Sequence, residues 1–151
     1  MSAEKNDKDI LLKIELDAFS NTIAMDMGIR IVELARSRNQ AIAIEISRLN
    51  QSVFLYVEDG LPADKHNWLR RKANLAKYFE ESSLAVRHTL ERRSMTLEKP
   101  FRLDEKDYVA KGGSIPVFVK NAGLIATITV SGLRDFEDHD IIIEALRGKY
   151  L

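Results

Sequence analysis

The chain has 151 residues, of which 45% are hydrophobic and 30% charged, the balance of a single globular domain long enough to bury one core. Lys plus Arg and Asp plus Glu number 23 each, and the resulting zero net charge argues against nucleic acid or an anionic membrane surface as a partner held by bulk electrostatics. Cysteine is absent, which excludes disulfides, thiolate catalysis, cysteine-ligated zinc and iron–sulfur clusters; with no apolar signal core and no run of about 18 apolar residues, a soluble, cytoplasmic protein is expected.

Taken in chain order, Asp7–Leu16 reads as a short helix with Ile10, Leu11 and Ile14 on one side and Asn6 or Asp7 as its cap. Its narrow stripe suits packing against a neighbouring subunit, and residues 1–17 are set apart as an N-terminal helix or arm from one domain over 18–151. Asn21–Arg38 is the clearest helix. Ser20 or Asn21 caps it, Ala24, Met27, Ile31, Leu34 and Ala35 recur at helical spacing, and Arg36 and Arg38 complement the dipole in the last turn. Two strands follow, Ala41–Ser47 with Ile42, Ile44 and Ile46 on one face, and Ser52–Glu58. Asp64 then caps a helix reaching about Phe79, and Ser82 or Ser83 starts another with Leu84, Ala85, Val86 and Leu90 as its apolar positions. Ser94–Arg102 is a loop containing Pro100, and Asp104 caps a short helix over Glu105–Ala110.

Gly112–Leu133 is a β-hairpin bracketed by glycines. Ile115–Val119 and Leu124–Val130 are rich in β-branched and aromatic residues, and Lys120-Asn121-Ala122-Gly123 carries turn chemistry. On the second strand Leu124, Ala126, Ile128 and Val130 form one apolar face, while Ile125, Thr127, Thr129 and Ser131 form a mixed one. That polar stripe on a core-like strand is a first hint of a pocket. Asp135 caps a last helix with Ile141, Ile142, Ala145 and Leu146 inward. The pattern predicts an α+β fold, a four-stranded antiparallel sheet with helices packed on it.

The densest polar cluster is His66-Asn67-Trp68-Leu69-Arg70-Arg71-Lys72-Ala73-Asn74. On a helix His66, Arg70, Asn74 and Lys77 share one face, with Arg71 and Lys72 pointing elsewhere. Arg70 with Asn74 offers a forked donor surface for a carboxylate or phosphate. A solvated face, or pairing of the arginine with Glu80 or Glu81, is the plainer alternative. Trp68 suits a core or interface anchor better than a stacking platform. His66, His88 and His139 share no metal-binding spacing, although each is a possible axial ligand of a haem iron. Lys111-Gly112-Gly113-Ser114 lacks the strand–loop–helix order of a phosphate loop, so its glycines let the backbone pass close to a neighbour or a ligand. No Ser-His-Asp order, catalytic carboxylate pair or dinucleotide fingerprint stands out.

Gly-Gly-Ser-Ile-Pro-Val at Gly112–Val117, the hairpin, Val130-Ser131-Gly132 and the acidic helix start Glu137-Asp138-His139 together resemble the haem-degrading-domain family of GlcG- and HbpS-like proteins. Asn67-Trp68-Leu69-Arg70-Arg71-Lys72 with Asn74, Phe79, Ser82 and Ser83 resembles its branch catalogued as uncharacterised protein family 0303. The similarity spans roughly Phe19 to Leu146. It implies a profilin-like fold, a ligand groove lined by Gly112, Gly113 and Ser114 near the hairpin, homo-oligomers, and haem as a possible ligand. Trp68, Arg70, Arg71, Asn74, Thr129 and Ser131 complete the expected ligand-binding set, where the hairpin meets the Trp68–Asn74 helix. A small-molecule binding protein for haem or another planar or anionic compound is therefore expected. An assembly protein without catalysis, or an enzyme acting on a small carboxylate or phosphate, is the alternative.

Overall fold

The alternation in Ile42-x-Ile44-x-Ile46 and in Leu124–Ser131 is realised as a five-stranded sheet in the computed structural model, which describes residues 7–151. The chain runs α1 (Asp7–Ile10), β1 (Ile14–Leu16), α2 (Asn21–Ser37), β2 (Ala43–Arg48), β3 (Gln51–Val57), α3 (Lys65–Phe79), α4 (Ser83–Arg92), β4 (Ser114–Val119), β5 (Gly123–Ser131) and α5 (Asp135–Leu146). The strands lie in the order β1-β4-β5-β2-β3. The expected four strands are all present and antiparallel to one another, but the sheet is mixed, because β1 joins β4 in parallel, Ile14 opposite Val117.

This corrects the reading of Asp7–Leu16 as one helix. Leu12, Ile14 and Leu16 also satisfy a period of two, and Ile14 is buried in the main core. The helix stops at Ile10, and the Asn6 cap falls outside the described residues. A second correction concerns Glu105–Ala110, where the chain makes a turn over Glu105–Asp107 in place of a helix; the Asp104 carboxylate accepts the Lys106 N–H at 2.9 Å. A short acidic segment with a local side-chain acceptor satisfies its backbone as readily in a turn as in a helix.

The two faces of the sheet differ as the hairpin pattern requires. Ile44 and Ile46 of β2 pair with Val130 and Ile128 of β5, and with Ile115 and Val117 of β4 they form an apolar face against Met27 and Ile31 of α2 and Ile141 and Ile142 of α5. Each isoleucine so buried contributes about 2–3 kcal/mol. Gly28 lets α2 approach, since a Cβ there would lie 2.4 Å from the Phe54 ring. The opposite face carries Thr127, Thr129, Ser131 and Ser114 and is covered by α3, with α4 beside it. Side-chain caps anchor two of the helices, Ser20 accepting from Ile23 N–H and Ser82 from Ala85 N–H, both at 3.1 Å. No helix among the described residues is long and apolar enough to cross a membrane.

Candidate functional site

Leu69, Lys72, Ala73 and Ala76 recur at helical spacing and are all buried, so α3 carries a lysine within its core stripe. The same happens on α5, where Asp138 precedes Ile141 and Ile142 on the buried side. The two charges meet: Lys72 Nζ donates to Asp138 Oδ2 at 2.8 Å and to the Val130 carbonyl at 2.9 Å, and Leu133 N–H donates to Asp138 Oδ1 at 3.0 Å. Side-chain exposure is 3% for the lysine and 2% for the aspartate. Burial drives both toward their neutral forms. It raises the Asp138 carboxyl to about 6 and lowers the Lys72 ammonium, while their mutual attraction opposes each shift. Gly113 makes room for the pair. With φ at +127° it adopts a conformation that side chains disfavour, and a Cβ would lie 2.5 Å from the Val130 carbonyl and 2.8 Å from Lys72 Nζ.

The pair borders a cleft of about 470 Å³ between α3, the turn from β5 into α5, and α4. From α3 come Lys65, Trp68 and Lys72; Arg87 comes from α4 and Lys111 from the approach to β4. Ser131, Gly132, Leu133 and Arg134 line the side leading into α5, followed by Asp135, Phe136 and Asp138. Five cations therefore face two carboxylates. Arg87 Nη1 reaches both Asp135 oxygens, at 2.7 and 2.9 Å, and Asp135 also accepts Gly112 N–H at 3.0 Å. With Lys72 held by Asp138, Arg87 by Asp135 and Arg134 3.6 Å from Glu137, the positive excess rests on Lys65 and Lys111. Neither Lys65 nor Lys111 has an ion-pair partner among the described residues. Trp68 and Phe136 add aromatic surface, each beneath a guanidinium, Arg71 at 5.2 Å and Arg134 at 4.7 Å from the ring centroids.

Of the residues picked out from the sequence, Trp68 and Ser131 line this cleft, and Gly112 and Gly113 stand directly behind it. Ser114 and Thr129 are buried beneath, their hydroxyls 2.9 Å apart, and Ser114 N–H donates to the Ser83 hydroxyl. Arg70, Arg71 and Asn74 lie elsewhere. All three fasten the turn over 105–107 to α3: Arg70 pairs with Asp107 at 2.9 Å, and Arg71 and Asn74 donate to the carbonyls of Glu105 and Asp107. The three histidines sit in different surroundings. His66 is exposed, with Nδ1 3.1 Å from the Ala63 carbonyl, and His88 stands 3.3 Å from Arg87 Nη2. His139 is fully buried and donates from Nε2 to the Asp9 carbonyl at 2.8 Å; burial depresses its pKa. Among the described residues no cluster of three or more His, Asp or Glu side chains could hold a metal ion. A larger depression, about 1080 Å³, lies within the loop over 96–105, where the carboxylates Glu98, Asp104 and Glu105 stand against the cations Lys99 and Arg102.

A family model described as haem degrading protein HbpS-like matches residues 19–147. A UPF0303 protein of Rhizobium rhizogenes is 39% identical over 133 residues, covering 88% of this chain and 82% of its own. One of Zymomonas mobilis is 37% identical over the same length, covering 88% and 72%. Among solved structures, the Ybr137w protein superposes with a TM-score of 0.83 at 27% identity, covering 96% of this chain and 85% of its own. HbpS superposes with 0.67 at 18% identity, covering 85% and 87%, and a PduOC:heme complex with 0.71 at 18%, covering 85% and 93%.

Proposed function

The chain belongs to the HbpS-like family of haem-degrading proteins, in its UPF0303 branch, and we propose that it binds a small anionic molecule in the cleft between α3 and the start of α5. The observation that carries this reading is the charge of the lining, five cations against two carboxylates, with Lys65 and Lys111 without an ion-pair partner among the described residues. A carboxylate or phosphate entering there meets ammonium and guanidinium donors, the N-terminal end of α5, and an aromatic flank at Trp68 and Phe136. Such a ligand stabilises the fold in proportion to its occupancy, by about 2.7 kcal/mol at a hundred times its dissociation constant. Thermal unfolding against a panel of small carboxylates and phosphates at fixed ionic strength therefore tests the reading. At least one should raise the unfolding temperature in the wild type and lose that effect in the double variant Lys65→Ala, Lys111→Ala. A panel without any stabilising anion contradicts it.

Haem, which the family name and the PduOC complex bring to mind, does not fit this cleft. None of its lining residues is His, Met, Cys or Tyr, the usual ligands of haem iron. The three histidines lie outside it, and Nε2 of His139 is already committed to Asp9. Small organic anions fit the donors present better than a metalloporphyrin does.

A second reading, self-assembly, is favoured by the sheet edge. Among the described residues β3 pairs only with β2, and Leu55 and Val57 on it are 56% and 42% exposed. An open, apolar strand edge on a protein of zero net charge offers a second copy both unpaired backbone and apolar surface.

A further inference from the structure

We propose that Lys72 is a Schiff-base lysine, whose Nζ condenses with the carbonyl group of a small oxo-acid seated in the cationic cleft while Asp138 relays the protons. This rests on the anion-binding reading above and goes one step beyond it, from a charge that attracts the ligand to a nitrogen that bonds to it.

Three features of the site point that way. The Lys72 side chain is 3% exposed, yet the residue is among those that line the cleft where a ligand would sit. An unprotonated amine is a far better nucleophile than a surface ammonium, and burial, with Lys65 nearby, disfavours the protonated form of Lys72 while Asp138 and Asp135 favour it. Next, a proton acceptor is in place. Asp138 Oδ2 lies 2.8 Å from Nζ, and burial raises its proton affinity enough for it to hold a proton and return it. Last, the nitrogen is held in place. The Val130 carbonyl anchors it at 2.9 Å, and Gly113 presents only hydrogen where any side chain would begin 2.8 Å away.

The chemistry balances without an outside oxidant or reductant. The Lys72 ammonium gives one proton to the Asp138 carboxylate, and the freed lone pair forms a C–N bond to the carbonyl carbon as the C=O π pair moves to oxygen. Asp138 returns its proton to that oxygen, then takes one from nitrogen and delivers it to the hydroxyl, which leaves as water while the nitrogen lone pair closes C=N. The ammonium and the ketone thus become a protonated imine and one water. Asp138 ends as the carboxylate beside the iminium, and total charge is unchanged. The carboxylate of the oxo-acid is what the cations Lys65 and Lys111 would hold.

The test is borohydride trapping with pyruvate as the probe. Wild-type protein incubated with pyruvate and reduced with sodium borohydride should gain one carboxyethyl group, and peptide mapping should place it on Lys72 in preference to surface lysines. Lys72→Arg, which keeps a cation beside Asp138, should lose that adduct, and Asp138→Asn should form it more slowly. The mapping needs only wild-type protein, so a variant that folds poorly does not blunt the test. Saturable pyruvate binding with no Lys72 adduct, or an adduct spread evenly over surface lysines, overturns the proposal and leaves anion binding standing. Absence of any anion binding overturns both.

Discussion

Asp138 and Lys72 are where the physics of single residues is most exposed. Replacing the lysine by methionine strands a buried carboxylate, which costs about 3–5 kcal/mol when a buried pair is broken from one side. Denaturant unfolding near neutral pH should show that loss in Lys72→Met, and adding Asp138→Asn should recover part of it. The pair also sets a pH dependence. Because burial lifts the Asp138 carboxyl from 3.8 to about 6, only the folded chain holds that proton between those values. The stabilisation it brings is complete below 3.8 and is lost as pH rises through about 6. Wild-type stability measured relative to Asp138→Asn should therefore fall by up to about 3 kcal/mol from about pH 4 to about pH 7. A difference that stays constant across the window contradicts the assignment. The signal for this pair was present in the sequence, since Lys72 sits three residues after Leu69 and four before Ala76, inside the apolar stripe of α3. Arg70 and Asn74, two residues to either side of Lys72, lie on the opposite face of α3, where they clamp the turn over 105–107. Nothing in their spacing discloses that partner, which lies more than 30 residues further along the chain.

At the scale of elements, helices announced themselves through caps and period. Ser20 and Ser82 cap α2 and α4 as their positions suggest, and the hairpin turn at Asn121-Ala122-Gly123 places positive φ at Asn121 and Gly123. The three-residue β1 was hidden because Ile10, Leu11 and Ile14 also match a helix, and a parallel partner 100 residues away leaves no local mark. Its docking depends on a few long-range bonds. Ser82 both caps α4 and donates to the Ile10 carbonyl at 2.8 Å. Ser82→Ala removes both, a loss of about 2 kcal/mol when cap and hydrogen bond are counted together. Amide hydrogen exchange should then speed up over residues 7–16 more than in β2 or β5. Equal protection in variant and wild type would show that the serine does not hold the segment.

For the whole molecule, the order of strands and helices made the α+β class legible, and tertiary assembly supplied the cleft. Its cations come from α3, α4, the approach to β4 and the start of α5, so no local motif announces it. Neutral net charge coexists with a strongly cationic concavity, which is the arrangement that concentrates small anions without attracting polyanions. The open β3 edge makes a separate expectation at this scale. Light scattering should find wild-type oligomers at micromolar concentration that Leu55→Lys with Val57→Lys converts to smaller species; a wild type that remains monomeric contradicts self-assembly through that edge.

Trp68 is the only tryptophan in the chain and it lines the cleft, so its fluorescence reports on this site alone. The measurement that bears most directly on the account is its emission during titration with pyruvate and with inorganic phosphate at constant ionic strength. A saturable change with at least one of them, weakened in Lys65→Ala, Lys111→Ala and absent with an uncharged analogue such as acetone, is the predicted result. No saturable response to either anion, or one indifferent to the loss of both lysines, would contradict an anion site between α3 and α5.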